Sequence, residues 1–198
     1  MSKTEGQNEA MRIAVAKLAN ADLSARAEKL GFSFQDTDTI LIRAFGSDLT
    51  VDLKGFEVRN RKTGQAVKPD LKIIILHYLI CDNFFRTGKI ITFRELPGGQ
   101  FYLEPYKSRS VNILLSRIKN DAELLKKNLN RFDWKETGSG DVGAEIHAIG
   151  KIYVTLSYYA GDDEMPPSAD ILYDSSIRKV FNTEDVTVIA SLLCRGLL

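Results

Sequence analysis

Cysteine is scarce. Cys81 and Cys194 are the only two in 198 residues, and neither belongs to a CxxC pair or a Cys/His cluster. A structural zinc site or an iron–sulfur cluster held by this chain alone needs such a set, so both are excluded. Two buried, reduced thiols are the expectation. A surplus of one charge is also missing: 27 Lys and Arg stand against 26 Asp and Glu, a net +1. That balance gives no broad basic surface for nucleic acid and no acidic tail. The longest apolar run, KIIILHYLIC (72–81), falls short of the roughly 20 residues that cross a bilayer. The polar start MSKTEGQNEAMR has no signal-peptide core. These absences predict a soluble, cytoplasmic protein with neither membrane nor nucleic-acid partner. There is no GxxxxGK[ST], GxSxG or HExxH, and GSGDVGAE (138–145) resembles a phosphate loop only in its glycines. Nucleotide binding there is rejected. With no repeat, low-complexity tract or linker, residues 1–198 read as one domain.

What is present is a mixture of helical and strand patterns. Residues 1–31 form a helical N-terminal segment, with apolar spacing over 5–30, a break near Asn20 or Asp22, and Gly31 as a stop. TILIRAF (39–45) and LTVDLKG (49–55) read as strands around Gly46-Ser47-Asp48. KPDLKIIILHYLICDNFF (68–85) is apolar on nearly every side, which marks a buried central helix, with Pro69 in its first turn. KIITFREL-PGG-QFYLEPY (89–106) alternates across a Pro-Gly-Gly turn and reads as a hairpin. Residues 107–130 are helical, KETGSGDVGAE (135–145) is the least ordered internal stretch, and EIHAIG, KIYVTLSYY and ILYD are strands. A C-terminal helix follows, capped by Thr183 with Glu184 and Asp185. The order predicts an α+β fold with a mainly antiparallel sheet.

ILHYLI (75–80), ITFRELPGGQFYLEPYKSR (91–109), GDDEMPPSADILYD (161–174) and the capped terminal helix, taken together in that order, resemble the bacterial and archaeal family catalogued as domain of unknown function 3786. The resemblance covers roughly residues 60–198, with the whole chain as the wider alternative. It implies anaerobic metabolism and a place near corrinoid or one-carbon chemistry, since some members are fused to iron–sulfur domains like those of corrinoid methyl-transfer proteins. It provides no reaction and no catalytic residues. Because this chain lacks cluster cysteines, any iron–sulfur cluster belongs to a partner.

The resemblance makes a corrinoid or other tetrapyrrole the leading ligand, and the expected function a non-enzymatic binding or accessory domain. Arg94 and Arg109 suit the carboxylate or amide rim of such a ligand. Tyr102 and Tyr106, among many aromatics here, offer flat walls. His77 and His147 are the candidate axial ligands. Each has a plainer reading as an ordinary core or strand residue, and the aromatics as core. Asp162, Asp163 and Glu164 offer oxygen ligands for a metal, or carboxylates for acid–base work. The plainer reading is a rigid acidic loop, closed by Pro166-Pro167 and facing the arginines of the hairpin. Two other functions follow from the same residues: a carboxylate-based metal-dependent enzyme, and an interaction module for an iron–sulfur or corrinoid methyl-transfer partner. The last predicts an exposed apolar patch without a deep pocket.

Overall fold

Local capping sets the first boundaries in the computed structural model, which describes residues 3–198. Residues 1 and 2 of the expected helical segment lie outside that range. Helices α1 (Lys3–Leu18) and α2 (Leu23–Leu30) meet at the expected break. The Asp22 carboxylate accepts the Ala25 N–H at 3.0 Å and opens α2. Gly31, at φ 74°, closes it by turning its own N–H back to the Ala27 carbonyl.

Four strands then form an antiparallel meander: β1 (Ser33–Asp36), β2 (Thr39–Ala44), β3 (Ser47–Asp52) and β4 (Val58–Asn60). The β2–β3 turn is Phe45-Gly46, with φ of 46° and 72°, and Ser47 and Asp48 already belong to β3. Two left-handed residues match the twist of the flanking strands, so the turn sits earlier than composition suggests. Helix α3 (Pro69–Ile80) follows as predicted and buries Ile74, Ile75, Leu76, Tyr78 and Leu79.

The 89–106 segment is not a hairpin. Strand β5 (Ile90–Thr92) runs into a 3-10 turn at Phe93–Glu95, and the expected return strand is instead helix α4 (Leu103–Arg109). The cause is local. The Glu95 carboxylate reaches back to the Thr92 N–H at 2.8 Å, a capping box that winds the chain at once. Gly99 then folds beneath the turn, where a Cβ would lie 2.1 Å from the Phe93 carbonyl oxygen.

Helices α5 (Val111–Ile118) and α6 (Ala122–Leu129) precede strands β6 (Trp134–Thr137), β7 (Val142–Ile149), β8 (Ile152–Tyr159) and β9 (Ser168–Asp174). The glycine-rich 135–145 stretch, expected to be the least ordered, is therefore mostly strand. After a 3-10 turn at Ser175–Lys179 comes helix α7 (Thr183–Gly196). Its cap is Asn182, whose side chain accepts the Asp185 N–H at 2.8 Å, rather than Thr183.

The nine strands make one antiparallel sheet in the order β4-β3-β2-β7-β8-β9-β5, with β1 added on β2 and β6 on β7. The fold is α+β. Strand β7 is buried along its whole length, and along β8 the buried residues Ile152, Val154, Leu156 and Tyr158 alternate with more exposed ones over most of the strand. Helix α7 packs on α3, α4 and α5 and buries Val186, Ile189, Ala190, Leu193 and Cys194. Each of the Val, Ile and Leu side chains among them contributes about 1.5–3 kcal/mol of transfer free energy. No helix among the described residues is long and apolar enough to cross a membrane.

Two polar knots hold the layers in register. The buried Tyr78 hydroxyl donates to the Leu30 carbonyl at 2.6 Å and accepts the Lys151 N–H at 3.0 Å. It fits only because Gly150 (φ 54°) has no Cβ, which would lie 2.4 Å from that oxygen. At the far edge, buried Asp174 accepts the N–H groups of Thr87, Gly88 and Ser176 and both neighbouring hydroxyls, at 2.6–3.0 Å. Burial alone would raise the Asp174 carboxyl, but the bonds from Ser176 and Thr87 outweigh it and hold it well below the usual range.

Gly150→Ala should therefore cost about 3 kcal/mol or more in urea unfolding, because the left-handed backbone and the Tyr78 ring are both violated. For Asp174 the folded carboxyl is the stronger acid. Its contribution to stability is thus fully present above the unfolded value near pH 4 and is lost as pH falls below it. Asp174→Asn should lower stability at pH 7 by about 2–3 kcal/mol and flatten the acid limb of a stability–pH curve.

Candidate functional site

The sequence-derived residues fall into three groups. Arg94, Tyr102, Tyr106 and Arg109 share a neighbourhood because the Phe93 ring stacks on the Tyr106 ring, with centroids 3.8 Å apart. Tyr102, Tyr106 and Arg109 follow at spacings of four and three, so Tyr102 and Arg109 lie at either end of one helical face. Tyr106, in the middle of that face, is buried, and its hydroxyl bonds the Tyr173 hydroxyl at 2.9 Å. It is core and not a wall open to a ligand. Arg94 and Arg109 are exposed and make no hydrogen bond or ion pair among the described residues.

Asp162, Asp163 and Glu164 stand apart from these arginines. Asp162 Oδ1 accepts the N–H groups of Glu164 and Met165 at 2.9 and 2.8 Å, which lowers its carboxyl. Asn120 clamps the same loop, donating to the Gly161 carbonyl at 3.0 Å and accepting its N–H at 2.8 Å. The loop is ordered by its own backbone, as expected, but it is tied to the α5–α6 turn and not to Arg94 or Arg109. Among the described residues no group of three or more His, Cys, Asp or Glu is placed to hold a metal ion. Local Asx bonding, invisible in a list of acids, prevails over convergence.

The two histidines differ. His147 is buried, its Nε2 donates to the Gly150 carbonyl at 2.7 Å, and its Nδ1 is sealed from solvent without a partner. Neither nitrogen is open to a ligand, against the expectation for this residue. His77 is prepared in the opposite sense. Its Nδ1 lies 3.0 Å from both Asp185 oxygens. Asp185 sits in the first turn of α7, where it also accepts the Asn182 N–H at 3.3 Å and where the helix end favours an anion. In the tautomer that donates Nδ1–H to Asp185, the lone pair of the ring is at Nε2. That nitrogen has no partner among the described residues and is not closed off from solvent, with 21% of the side chain exposed. A carboxylate behind an imidazole is the arrangement that orients a ligand or a base.

Sequence reasoning also passed over Glu145. It lies on the sheet face away from Ala144 and Ile146, between Arg86 at 2.6 Å and Lys135 at 2.8 Å. Burial would raise its carboxyl, but these two cations outweigh that and lower it. Arg86 also lies over the Tyr153 ring, 5.7 Å from its centroid. The signal was present in EIHAIG, where Glu145 and His147 share one face of a strand. The cluster is mutually satisfied and fastens the loop after α3 to the sheet. Two surface hollows, of about 660 and 340 Å³, are open and are lined around Arg117–Leu124 and around Gly31–Ser33 with Arg43 and Arg61. Neither contains any of the expected ligand residues.

A double-mutant cycle of His77→Ala and Asp185→Ala, read from urea unfolding, should return a coupling of about 1 kcal/mol. Zero coupling would mean that Asp185 does not hold the ring.

No curated protein and no solved structure matches the chain. The sequence model of one family does, over residues 22–196, reaching further toward the N-terminus than the motifs that first suggested it. That span takes in α2, the whole sheet and all of α7, and the chain belongs to the family described as Domain of unknown function (DUF3786).

Proposed function

We propose that the chain is a non-enzymatic accessory domain of anaerobic metabolism that lends an imidazole to the metal of a corrinoid or other tetrapyrrole. The observation that carries this reading is the His77–Asp185 pair, in which Asp185 fixes the ring and leaves Nε2 open. The donor chemistry fits, because imidazole nitrogen is a good ligand for cobalt and iron, and a carboxylate on the other nitrogen increases its basicity. When bound, such a cofactor supplies the chemistry, and the protein supplies position. In this chain His77 offers the lone pair, Asp185 accepts the hydrogen bond from Nδ1–H, and Arg94 and Arg109 are free to meet an anionic rim. Tyr106 and His147 take no part. An iron–sulfur or corrinoid methyl-transfer protein is the partner that the family resemblance favours. A carboxylate-based metal enzyme has less support, since Asp162 is bonded within its own loop.

The reading is tested by titrating hemin and aquocobalamin separately into oxygen-free protein and following the visible bands. The wild type should shift the band of at least one. His77→Ala should abolish the shift, Asp185→Ala should weaken binding about tenfold, and His147→Ala should leave it unchanged. A band that never moves, or moves equally in His77→Ala, refutes the proposal.

A further inference from the structure

Phe101 and Tyr102 are the two adjacent aromatics that the fold leaves outside. Phe101 is 88% exposed and Tyr102 62% exposed. Exposure of two neighbouring aromatic rings forgoes much of the burial that aromatic residues usually gain on folding. The loop that carries them is not slack. Gly98 is left-handed at φ 72°, and Gly99 is packed so closely under Phe93 that no side chain fits. The N–H groups of Phe101 and Tyr102 both return to the Gly98 carbonyl. Thr183 donates to the Pro97 carbonyl at 2.6 Å, and Arg178 donates to the Glu95 carbonyl. The rings are therefore held out on a backbone fastened to α7 and to the turn before it. Such a preorganised knob loses little entropy when a partner covers it.

Its charge is one-sided. Arg94, Lys107 and Arg109 flank the pair in the chain, and none has an ion-pair partner among the described residues. Of the two acids in the stretch, Glu95 keeps its charge but lies under the influence of Lys89 and Arg178, outside this set, which leaves Glu104 against three cations. The chain as a whole is nearly neutral at +1, so this excess is local. We infer that Arg94, Phe101, Tyr102 and Arg109 form a docking knob for an acidic segment of a partner protein. An apolar side chain of the segment covers the rings, and its carboxylates meet the arginines. Aromatic and arginine side chains together are the composition of interface hot spots, and unpaired arginines select carboxylates. The inference does not depend on His77 or on any cofactor, and it takes Arg94 and Arg109 for the partner segment in place of a cofactor rim.

The probe is a display library of random dodecapeptides selected on the immobilised full chain, with the Phe101→Ser/Tyr102→Ser protein as counter-target. Individual peptides are then measured by fluorescence polarisation. The expected winners carry two or more Asp or Glu beside an aromatic or aliphatic anchor. Their affinity should fall at least about tenfold on Arg94→Ala/Arg109→Ala and should weaken with added salt. All variants should keep the wild-type urea midpoint, since the changed side chains are exposed. Winners without acids, winners that bind the variants equally, or no winners at all overturn the inference. So does concentration-dependent dimerisation in sedimentation that Phe101→Ser removes, which assigns the knob to a second copy of the chain. Phe101-dependent binding to phosphatidylglycerol vesicles assigns it to lipid and overturns it as well.

Discussion

The Tyr78 hydroxyl, seated where Gly150 lacks a side chain, is the contact on which the rest of the molecule is arranged. It joins the end of α2, the buried helix α3 and the β7–β8 turn in a single pair of hydrogen bonds. Burial raises the phenol far above its ordinary value, so it stays a neutral donor at any ordinary pH. Once α3 is fixed there, its rotation is fixed too. Tyr78 points to the turn, its ring stacks on Phe181 at 6.3 Å, and the preceding residue, His77, is directed to the first turn of α7. The position of the open imidazole is thus a consequence of a core contact one residue away.

The same arrangement explains why chemistry-bearing side chains are found at the margins. Strand β7 is covered on both faces. Helix α6 packs against it, and the loop after α3 closes down on Glu145 through Arg86. Little of the sheet is left to line a deep cleft, and the exposed groups collect where helices start and loops turn. Cys194, whose thiol is pushed up to about 12 by burial, shows how inert the interior is. Helix α7 serves two neighbourhoods from one turn: Thr183 fastens the aromatic loop, and two residues later Asp185 holds His77.

Much of this was legible in the sequence where the signal is local. The apolar circumference of α3, the alternation in β2, β3 and β8, and the Asp22 and Gly31 caps each depend on near neighbours. The 89–106 segment misled because alternation across Pro-Gly-Gly is what a hairpin looks like, while the Glu95–Thr92 capping box that replaces it occupies the same letters. Phe101 counts as core by residue type and is outside because the Gly98-Gly99 turn is already closed beneath it. Long-range partnership was out of reach: nothing in the string links His77 to Asp185, 108 positions later, or Arg86 to Glu145. Conversely the acidic loop looked chemically rich, and its bonding proved to be internal.

The β2–β7 junction carries a different lesson. The N-terminal meander meets the central strand over a very short span, with Ala44 opposite Ile149 and single bonds at Phe45–Ala148 and Gly150–Arg43 on either side. Every other neighbouring pair in the sheet's main path is joined over at least three residues. Such a narrow seam leaves β1–β4 joined to the rest mainly through the shared core and the Arg43–Asp133 pair, and its amide hydrogens are expected to exchange by local opening before those of β7–β9. Proteolysis or mild denaturant would then act on the two blocks in sequence, and the meander would be the first to yield.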